Sequence, residues 1–573
     1  MTGRIRFLSI IIIMVALIMS IRLYFVQIVH GKSFTTLAER QNINENTISY
    51  DRGDIYFESK DGEVIPAAVS RSGFTVAINP KIIKDPEEIY KNLSKVLVLD
   101  KEEFITKTSK KTDSYEEIAK HLNTETADKI KALNIYGVTI ATDKWRFYPG
   151  GKLASSIIGF VAYNEDELAG RYGLERYYED ILKKDPSKAY NNFFAEFFSN
   201  VKESLSQYPQ EEGNIITSIE PAVELFLEDE LKNVREKWGS NGAGGIIINP
   251  MNGEIVAMAW NPSFDLNNFK ESDVSLFNNP LVENRYEMGS IIKPLTMASG
   301  IDLGTVSATS TYYDAGFLFL NNKRISNYDN KGRGTVSMQE VLNQSLNTGA
   351  AFVAMKMGNE KFRDYMKNFS VGTETGIDLP NEGIGLTNNL DSKRDIEIVT
   401  ASYGQGVAFT PIATVRALSS LANGGVLITP HLVKKIEYET GLSKKVSFAP
   451  GKQVIKKETS EEITRMLVGV VDKALRGGTA KIPGYSVAAK TGTAQMTDEG
   501  RAGYVEGKYL HSFFGYFPAY KPKFLVFLFH IYPKDVRYAS ETLTDPFLNI
   551  TKFLINYYQI PPDRPEDLST KPQ

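Results

Sequence analysis

The amino terminus constrains this chain more than any other stretch. Residues 7–21 read FLSIIIIMVALIMSI, and after Arg22 the apolar run continues LYFVQIV to Val29. A helix of these 23 residues would be about 34 Å long, enough for a hydrocarbon layer of about 30 Å. Arg22 lies late in the run, where its stem can carry the charge toward the interface. Arg4 and Arg6 precede the run and the first acid is Glu39, so the positive-inside bias keeps the first six residues cytoplasmic and exports the rest. No A-x-A site follows the run, which favours an uncleaved anchor over a signal peptide. The expectation is a single-pass membrane protein with its body outside the cytoplasm.

Composition narrows the chemistry of that body. Residues 1–32 carry four basic side chains and no acid, so removing them from the formal net charge of −3 leaves −7 for the remainder. Neither a polybasic grip on lipid nor a nucleic-acid footprint fits such a surface. There is no cysteine among the 573 residues, which excludes disulfides, thiol nucleophiles and thiolate metal sites. The five histidines form no H-x-x-x-H pair, which argues against a zinc hydrolase, and no metal or cofactor is called for. Catalysis would fall to Ser, Thr, Lys or a carboxylate.

The length predicts more than one domain. Residues 33–212 mix short β-rich runs (FTVAINP, YGVTIAT) with charged helical stretches such as 101–131, and turn-like segments at 185–188 and 210–213. From Asn214 the signals sharpen. A helix is expected from Pro221 to Trp238, with Val223, Leu225, Phe226 and Leu231 as apolar positions. GGIIINP and GEIVAMAW flank Asn252-Gly253, a hairpin signature. After a helical middle come three strand-like runs, YSVAAKTGTA, HSFFGYFPA and KFLVFLFHIY, then a helical pattern over 545–558. The fold class is therefore α+β, with a sheet assembled from both ends of the second domain. The expected division is an anchor at 1–32, a mixed α/β domain at 33–212, a helix-flanked antiparallel-sheet domain at 213–560 and a disordered tail at 561–573.

Three short motifs carry the chemistry. In Ser290-Ile291-Ile292-Lys293, Gly289 and Pro294 mark a loop turning into a helix. Side chains at i and i+3 share a face, so a desolvated Lys293 can act as the base for Ser290. Alone the motif is weak, since Ser199-Asn200-Val201-Lys202 also fits it. Ser345-Leu346-Asn347 lies between two helical runs, where an ordinary helix cap is the bland alternative. In the strand-like Lys490-Thr491-Gly492-Thr493, alternation puts Thr491 and Thr493 on one face, and Gly492 would let a ligand backbone approach.

In this order, 55 and then 145 residues apart, the motifs match the S-x-x-K, S-x-N and K-T-G signature of the penicillin-recognising serine acyltransferases. Much of the chain also resembles the class B penicillin-binding proteins, bitopic peptidoglycan D,D-transpeptidases with an elongated pedestal. Arg52-Gly53-Asp54-Ile55 resembles the R-G-x-I box of that pedestal, a stronger reading than integrin-type recognition of the RGD triplet. Arg146-Phe147-Tyr148-Pro149-Gly150 and Gly173-Leu174-Glu175 resemble two more pedestal landmarks. Gly376-Ile377-Asp378-Leu379-Pro380 and Tyr403-Gly404-Gln405-Gly406 resemble structural segments of the transpeptidase domain.

The resemblance implies roles. Ser290 would attack the penultimate D-Ala carbonyl of a stem peptide, Lys293 would be its base, and Ser345 would relay a proton to the leaving amine. Asn347 would bind the substrate amide, Lys490 would supply positive field, and Thr491, Gly492 and Thr493 would form the strand that holds the terminal carboxylate. Backbone N–H groups of Ser290 and Thr493 would form the oxyanion hole. β-Lactams would be trapped as acyl-enzymes. Further implied partners are the lipid bilayer, a SEDS-class membrane glycosyltransferase and other wall-synthesis or division proteins. No E-x-x-L-N stretch lies in 348–489, which argues against a class A β-lactamase. No glycosyltransferase box precedes residue 213, and six cytoplasmic residues are too few for a sensor. The surroundings of Ser290 and Lys490 resemble the division-specific branch. An elongation-specific enzyme, a D,D-carboxypeptidase and a catalytically silent scaffold are the alternatives.

Overall fold

The computed structural model describes residues 14, 19, 51–164, 167–184, 212–438, 441–497 and 503–569. The apolar run at 7–29, apart from Met14 and Met19, and the turns expected at 185–188 and 210–211 lie outside the described residues, as does Ser199-Asn200-Val201-Lys202. Among the described residues no helix is long and apolar enough to cross a membrane. The chain divides into two compact units: described residues 51 and 70–145 in one, and 52–69 with 146–569 in the other. Residues 52–69 and 146–184, grouped by sequence with the amino-terminal half, thus belong to the larger unit.

In the smaller unit, residues 74–78 of the strand Val64–Ile78 pair antiparallel with Glu116–Leu122, and Val138–Phe147 joins the same strand. Val76, Ile78, Leu93, Phe104 and Ile130 form its core. The charged stretch 101–131, expected to be helical, is helix only over Lys101–Ser109 and Thr124–Ala132. Asp113 turns the chain by accepting from Tyr115 N at 3.0 Å, and the segment after it pairs as a strand, tertiary pairing overriding helix propensity.

The larger unit is built on five antiparallel strands: β1 (Gly242–Ile248), β2 (Ile255–Asn261), β3 (Ala488–Thr497), β4 (Tyr504–Phe517) and β5 (Phe524–Ile531). Their order is β3-β4-β5-β1-β2, so the first and last parts of the domain meet between β5 and β1, and β3 is an edge. Alternation splits the sheet between two cores. Ile247, Ala257, Phe513, Val526 and Leu528 face α1 (Pro221–Trp238) and α5 (Thr544–Tyr557). Ile246, Ile248, Met258, Phe514 and Phe527 face the helical block. That block contains α2 (Lys293–Asp302), α3 (Asn347–Met357) and α4 (Lys457–Gly469). The α1 stripe is Val223, Leu227, Leu231 and Val234, spacings of four, four and three that hold one face. Leu225, expected in that stripe, points outward and is 54% exposed. Every residue of α2 from Lys293 to Gly300 is buried, the mark of a helix threaded through a core.

Three of the landmarks converge. Arg52 Nε donates to Glu175 Oε2 at 2.6 Å, and Arg146 Nε donates to Glu175 Oε1 at 2.6 Å. Arg52 Nη2 also donates to the Glu175 carbonyl at 2.6 Å and to Glu179 Oε2 at 2.7 Å. Burial opposes ionisation of Glu175, but Arg146 and Arg52 prevail and hold its carboxyl below the ordinary value. Since Arg52 is only 2% exposed, its RGD triplet is no presented recognition loop. Asp378, from another landmark, accepts from Leu432 N at 2.7 Å and Val433 N at 2.8 Å, tying a loop to a strand. The tail corrects an expectation: residues 561–569 are ordered on the larger unit. Asp563 accepts from Ser486 N at 2.8 Å, Arg564 pairs with Asp472 at 2.8 Å, and Lys481 pairs with Asp567 at 2.9 Å. Charge-rich sequence lowered the apolar signal there, while these paired charges dock the segment.

Candidate active site

Ser290 sits in a single 3₁₀ turn, Gly289–Ile292, that runs directly into α2 with Pro294 in its first turn. Two contacts fix the turn. Gly289 has φ +63°, and a Cβ there would lie 2.7 Å from the Thr493 carbonyl oxygen. Its N–H donates to Gly404 O at 3.1 Å, and a Cβ on Gly404 would lie 2.2 Å from Gly289 O. The Tyr403–Gly406 landmark is therefore a bracket behind Ser290, and it needs Gly404 and Gly289 to be without side chains where they meet.

Ser345 is not the helix cap that its sequence allows. The cap position of α3 belongs to Leu346, with no side-chain bond, while Ser345 is held at φ +55°. A non-glycine residue there is strained, and such strain gathers at functional sites. Its hydroxyl is the meeting point of two lysines. Lys490 Nζ donates to Ser345 Oγ at 2.9 Å and to Thr491 O at 3.0 Å. Lys293 Nζ donates to Ser345 O at 2.5 Å and approaches Ser345 Oγ at 3.2 Å. The base expected to reach Ser290 is thus drawn toward Ser345, beside its own helix.

Both lysines are buried, at 1% and 2% exposure, and neither bonds a carboxylate. Desolvation, then the charge of Lys490, pushes Lys293 well below the ordinary lysine value, and desolvation takes Lys490 down to about 7. Two amines on one hydroxyl cannot both hold a proton cheaply, and Lys293 is the more strongly depressed of the two. A neutral amine of this kind could take up a serine proton at the start of acyl transfer.

Along β3 the burial alternates. Gly492 and Ala494 are covered, while Thr491 and Thr493 border the open side. Gly492 departs from its expected role: a Cβ there would lie 2.4 Å from Ser512 Oγ, 2.7 Å from Met288 O and 3.0 Å from Ile291 N. The backbone that Gly492 admits is that of the turn carrying Ser290, not a ligand's. Gly492→Ala is accordingly expected to push that turn away and slow acylation by penicillin on the order of 100-fold. Stopped-flow labelling would show it, and a loss under threefold would refute this account.

Ser290, Ser345, Asn347, Lys490, Thr491 and Thr493 all line one cleft of about 630 Å³, within the range of small-ligand sites. Asn347 Nδ2 donates to Ser326 O at 2.9 Å, leaving Oδ1 as the acceptor not used by that bond. Sequence reasoning missed other cleft residues. Tyr403 and Gln405 belong to a segment read as purely structural, and Asn327, Arg537 and Tyr538 belong to no motif. Behind Asn347 lies a buried polar knot. Thr348 Oγ1 donates toward Asp314 Oδ1 at 2.8 Å, and Asn327 Nδ2 donates to both Asp314 oxygens at 3.1 and 3.0 Å. A second depression, in the smaller unit, is lined mainly by charged side chains, among them Asp85, Glu87, Lys91 and Lys101.

Comparison with known proteins extends beyond the motifs. Residues 243–551 match the family model described as penicillin binding protein transpeptidase domain, and 47–218 the penicillin-binding protein dimerisation domain. The chain is 33% identical to stage V sporulation protein D of Bacillus subtilis, over 95% of this chain and 84% of that protein. It is 27% identical to the peptidoglycan D,D-transpeptidase FtsI of Buchnera aphidicola (97% and 95% covered). It is also 27% identical to the peptidoglycan D,D-transpeptidase MrdA of Acinetobacter baumannii (91% and 84%). Among solved structures it is similar to penicillin binding protein 3 of Mycobacterium tuberculosis complexed with aztreonam. That match has a TM-score of 0.67 and 19% identity, covering 90% of this chain and 98% of the other. Penicillin binding protein 2X of Streptococcus thermophilus gives a TM-score of 0.71 at 19% identity, covering 92% and 83%.

Proposed function

This chain belongs to the class B penicillin-binding proteins, and from that membership we propose how its cleft performs acyl transfer and where in the cell it does so. It is a serine D-Ala-D-Ala transpeptidase of peptidoglycan synthesis, and its family binds β-lactams. The observation that carries the residue roles is the convergence of Lys293 and Lys490 on Ser345 in the cleft that holds Ser290.

Neutral Lys293 takes the proton of Ser290 as its oxygen attacks the penultimate D-Ala carbonyl. Ser345, bonded to both lysines, passes a proton to the departing D-Ala nitrogen. Charged Lys490, with the hydroxyls of Thr491 and Thr493, holds the terminal carboxylate, and Asn347 Oδ1 accepts the peptide N–H. Backbone N–H groups of Ser290 and Thr493 take the developing oxyanion. An amine of a second stem peptide then attacks the Ser290 ester and forms the cross-link, and a β-lactam stops at the ester.

The site of action is septal wall synthesis, read from the division-type surroundings of Ser290 and Lys490 and from the full-length likeness to FtsI. The anchor at 7–29 holds the enzyme in the plasma membrane, with a SEDS-class glycosyltransferase supplying glycan strands. The 33% identity to a sporulation protein favours a second reading, in which the septum served is that of a developing spore. Depletion during growth separates them: filamentation supports the vegetative septum, normal growth with a later spore defect supports the second reading, and rounding refutes both in favour of elongation.

A further inference from the structure

The main sheet buries two histidines that the proposed reaction does not use. His511 on β4 and His530 on β5 are paired in register, and His511 also pairs with Thr493 of β3. Both are fully buried, and their rings meet edge to face at 5.1 Å. Four hydrogen bonds join them to their surroundings. Ser240 Oγ lies 2.7 Å from His530 Nδ1, and His530 Nε2 lies 2.9 Å from Thr542 Oγ1. Thr542 Oγ1 lies 2.9 Å from His511 Nδ1, and His511 Nε2 lies 3.1 Å from the Arg537 carbonyl.

Donor accounting gives this chain one direction. The Arg537 carbonyl only accepts, so His511 Nε2 donates. Burial holds both imidazoles neutral, taking His511 down to about 4 and His530 well below its ordinary value. His511 Nδ1 must then accept the single proton of Thr542, in preference to the longer 3.3 Å contact from Thr542 to Ala539 O. His530 Nε2 must donate to Thr542, and His530 Nδ1 must accept from Ser240. Every buried donor and acceptor along the line is satisfied in one arrangement, and a satisfied network of this kind rigidifies its surroundings.

The segment it rigidifies is a wall of the cleft. Arg537, Tyr538, Ala539 and Ser540 line the cleft, and Ala539 N donates to Thr493 Oγ1 at 3.1 Å. With that lone pair engaged, the hydroxyl proton of Thr493 is left to point elsewhere. We propose that Ser240, His530, Thr542 and His511 form a one-way hydrogen-bond chain that holds residues 537–542 so that Thr493 presents its proton to the substrate's terminal carboxylate. His511 and Thr542 are positioning residues on this account. The proposal rests on the carboxylate role of Thr493 given above.

The test compares acylation of the purified full-length protein by benzylpenicillin and by its methyl ester, which lacks the carboxylate charge. Damage to the Ser290 machinery slows both, whereas misaiming of Thr493 slows only the acid, so the readout is their ratio. Thr542→Val keeps shape and removes both bonds at the centre of the chain; it should lower the ratio roughly tenfold, the scale of a lost hydrogen bond to a charged group. Thr542→Ser should restore the ratio to within about twofold of wild type. Ser240→Ala, which removes only the far donor, should lower it about threefold, and it decides the matter if Thr542→Val does not fold. Equal slowing of both probes, an unchanged ratio, or failure of Thr542→Ser to restore it overturns the proposal. Thr493→Val separates the two layers. An unchanged ratio there removes the carboxylate role and the chain's role with it. A fall there without one in Thr542→Val overturns the chain's role alone.

Discussion

Ser290→Ala is expected to abolish covalent labelling by penicillin, and Lys293→Met to slow it about 10³–10⁴-fold, without loss of stability in the second variant. The separation follows from where Lys293 lies. Its amine is buried, its hydrogen bonds run to Ser345, and burial together with the Lys490 charge disfavours its protonated form. Methionine has similar length and no polar end, so the exchange replaces a costly buried group with an apolar one. The thermal midpoint should therefore stay level or rise while the acylation constant collapses, a trade of stability for activity often found at catalytic sites. pH gives an independent check. With Lys293 proposed as the base in its neutral form, acylation should be lost as pH falls through the Lys293 value, far below the 10.5 of an ordinary lysine. With Lys490 proposed to work charged, a carboxylate-bearing penicillin should acylate the empty cleft more slowly as pH rises past about 7. The resulting bell belongs to the pair of lysines rather than to either alone. A Lys293→Met enzyme within tenfold of wild type would remove Lys293 as the base.

The sequence showed the chemistry at this site more clearly than the geometry that makes it work. Ser290 with Lys293, Ser345 with Asn347 and Lys490 with Thr493 are each local, because a turn, a helix entrance and a strand set side-chain directions within a few residues. The five strands of the main sheet were legible for the same reason, since alternation and Asn252-Gly253 are local signals. What needed coordinates is long-range. Gly492 reads as room for a ligand, yet the neighbour is Met288, distant in sequence. Asp314, Asn327 and Thr348 carry no motif because their bonds cross 13 to 34 residues. The strand Glu116–Leu122 is charged and helix-prone, and only its partner at 74–78 makes it extended. Thr542 closes the short helix Ala539–Thr542 and His530 lies on β5, and neither stands out until their hydrogen bonds are drawn.

Arg52→Met is expected to cost about 3–5 kcal/mol of stability, the usual price of leaving a buried charge without its partner. Glu175 is fully buried between Arg52 and Arg146, each at 2.6 Å. Methionine would leave its carboxylate with Arg146 alone, one of its two counter-charges gone, in a site that has already excluded water. None of the three residues lines the cleft, so at low temperature the variant should still acylate Ser290 within about twofold of wild type, while its thermal midpoint falls clearly. Glu175→Gln should lose at least as much, because it takes away the buried carboxylate that Arg52 and Arg146 share, and Arg52→Met with Glu175→Gln should lose less than the two single effects combined, as expected of directly bonded partners. The sign with pH is set by the depressed Glu175 value. Its contribution is full above the ordinary 4.5 and is lost as pH falls below it, so wild type and Arg52→Met should converge in acid. A midpoint unchanged at pH 7, or a gap that widens in acid, would mean that the three landmark segments are held together by packing rather than by these charges.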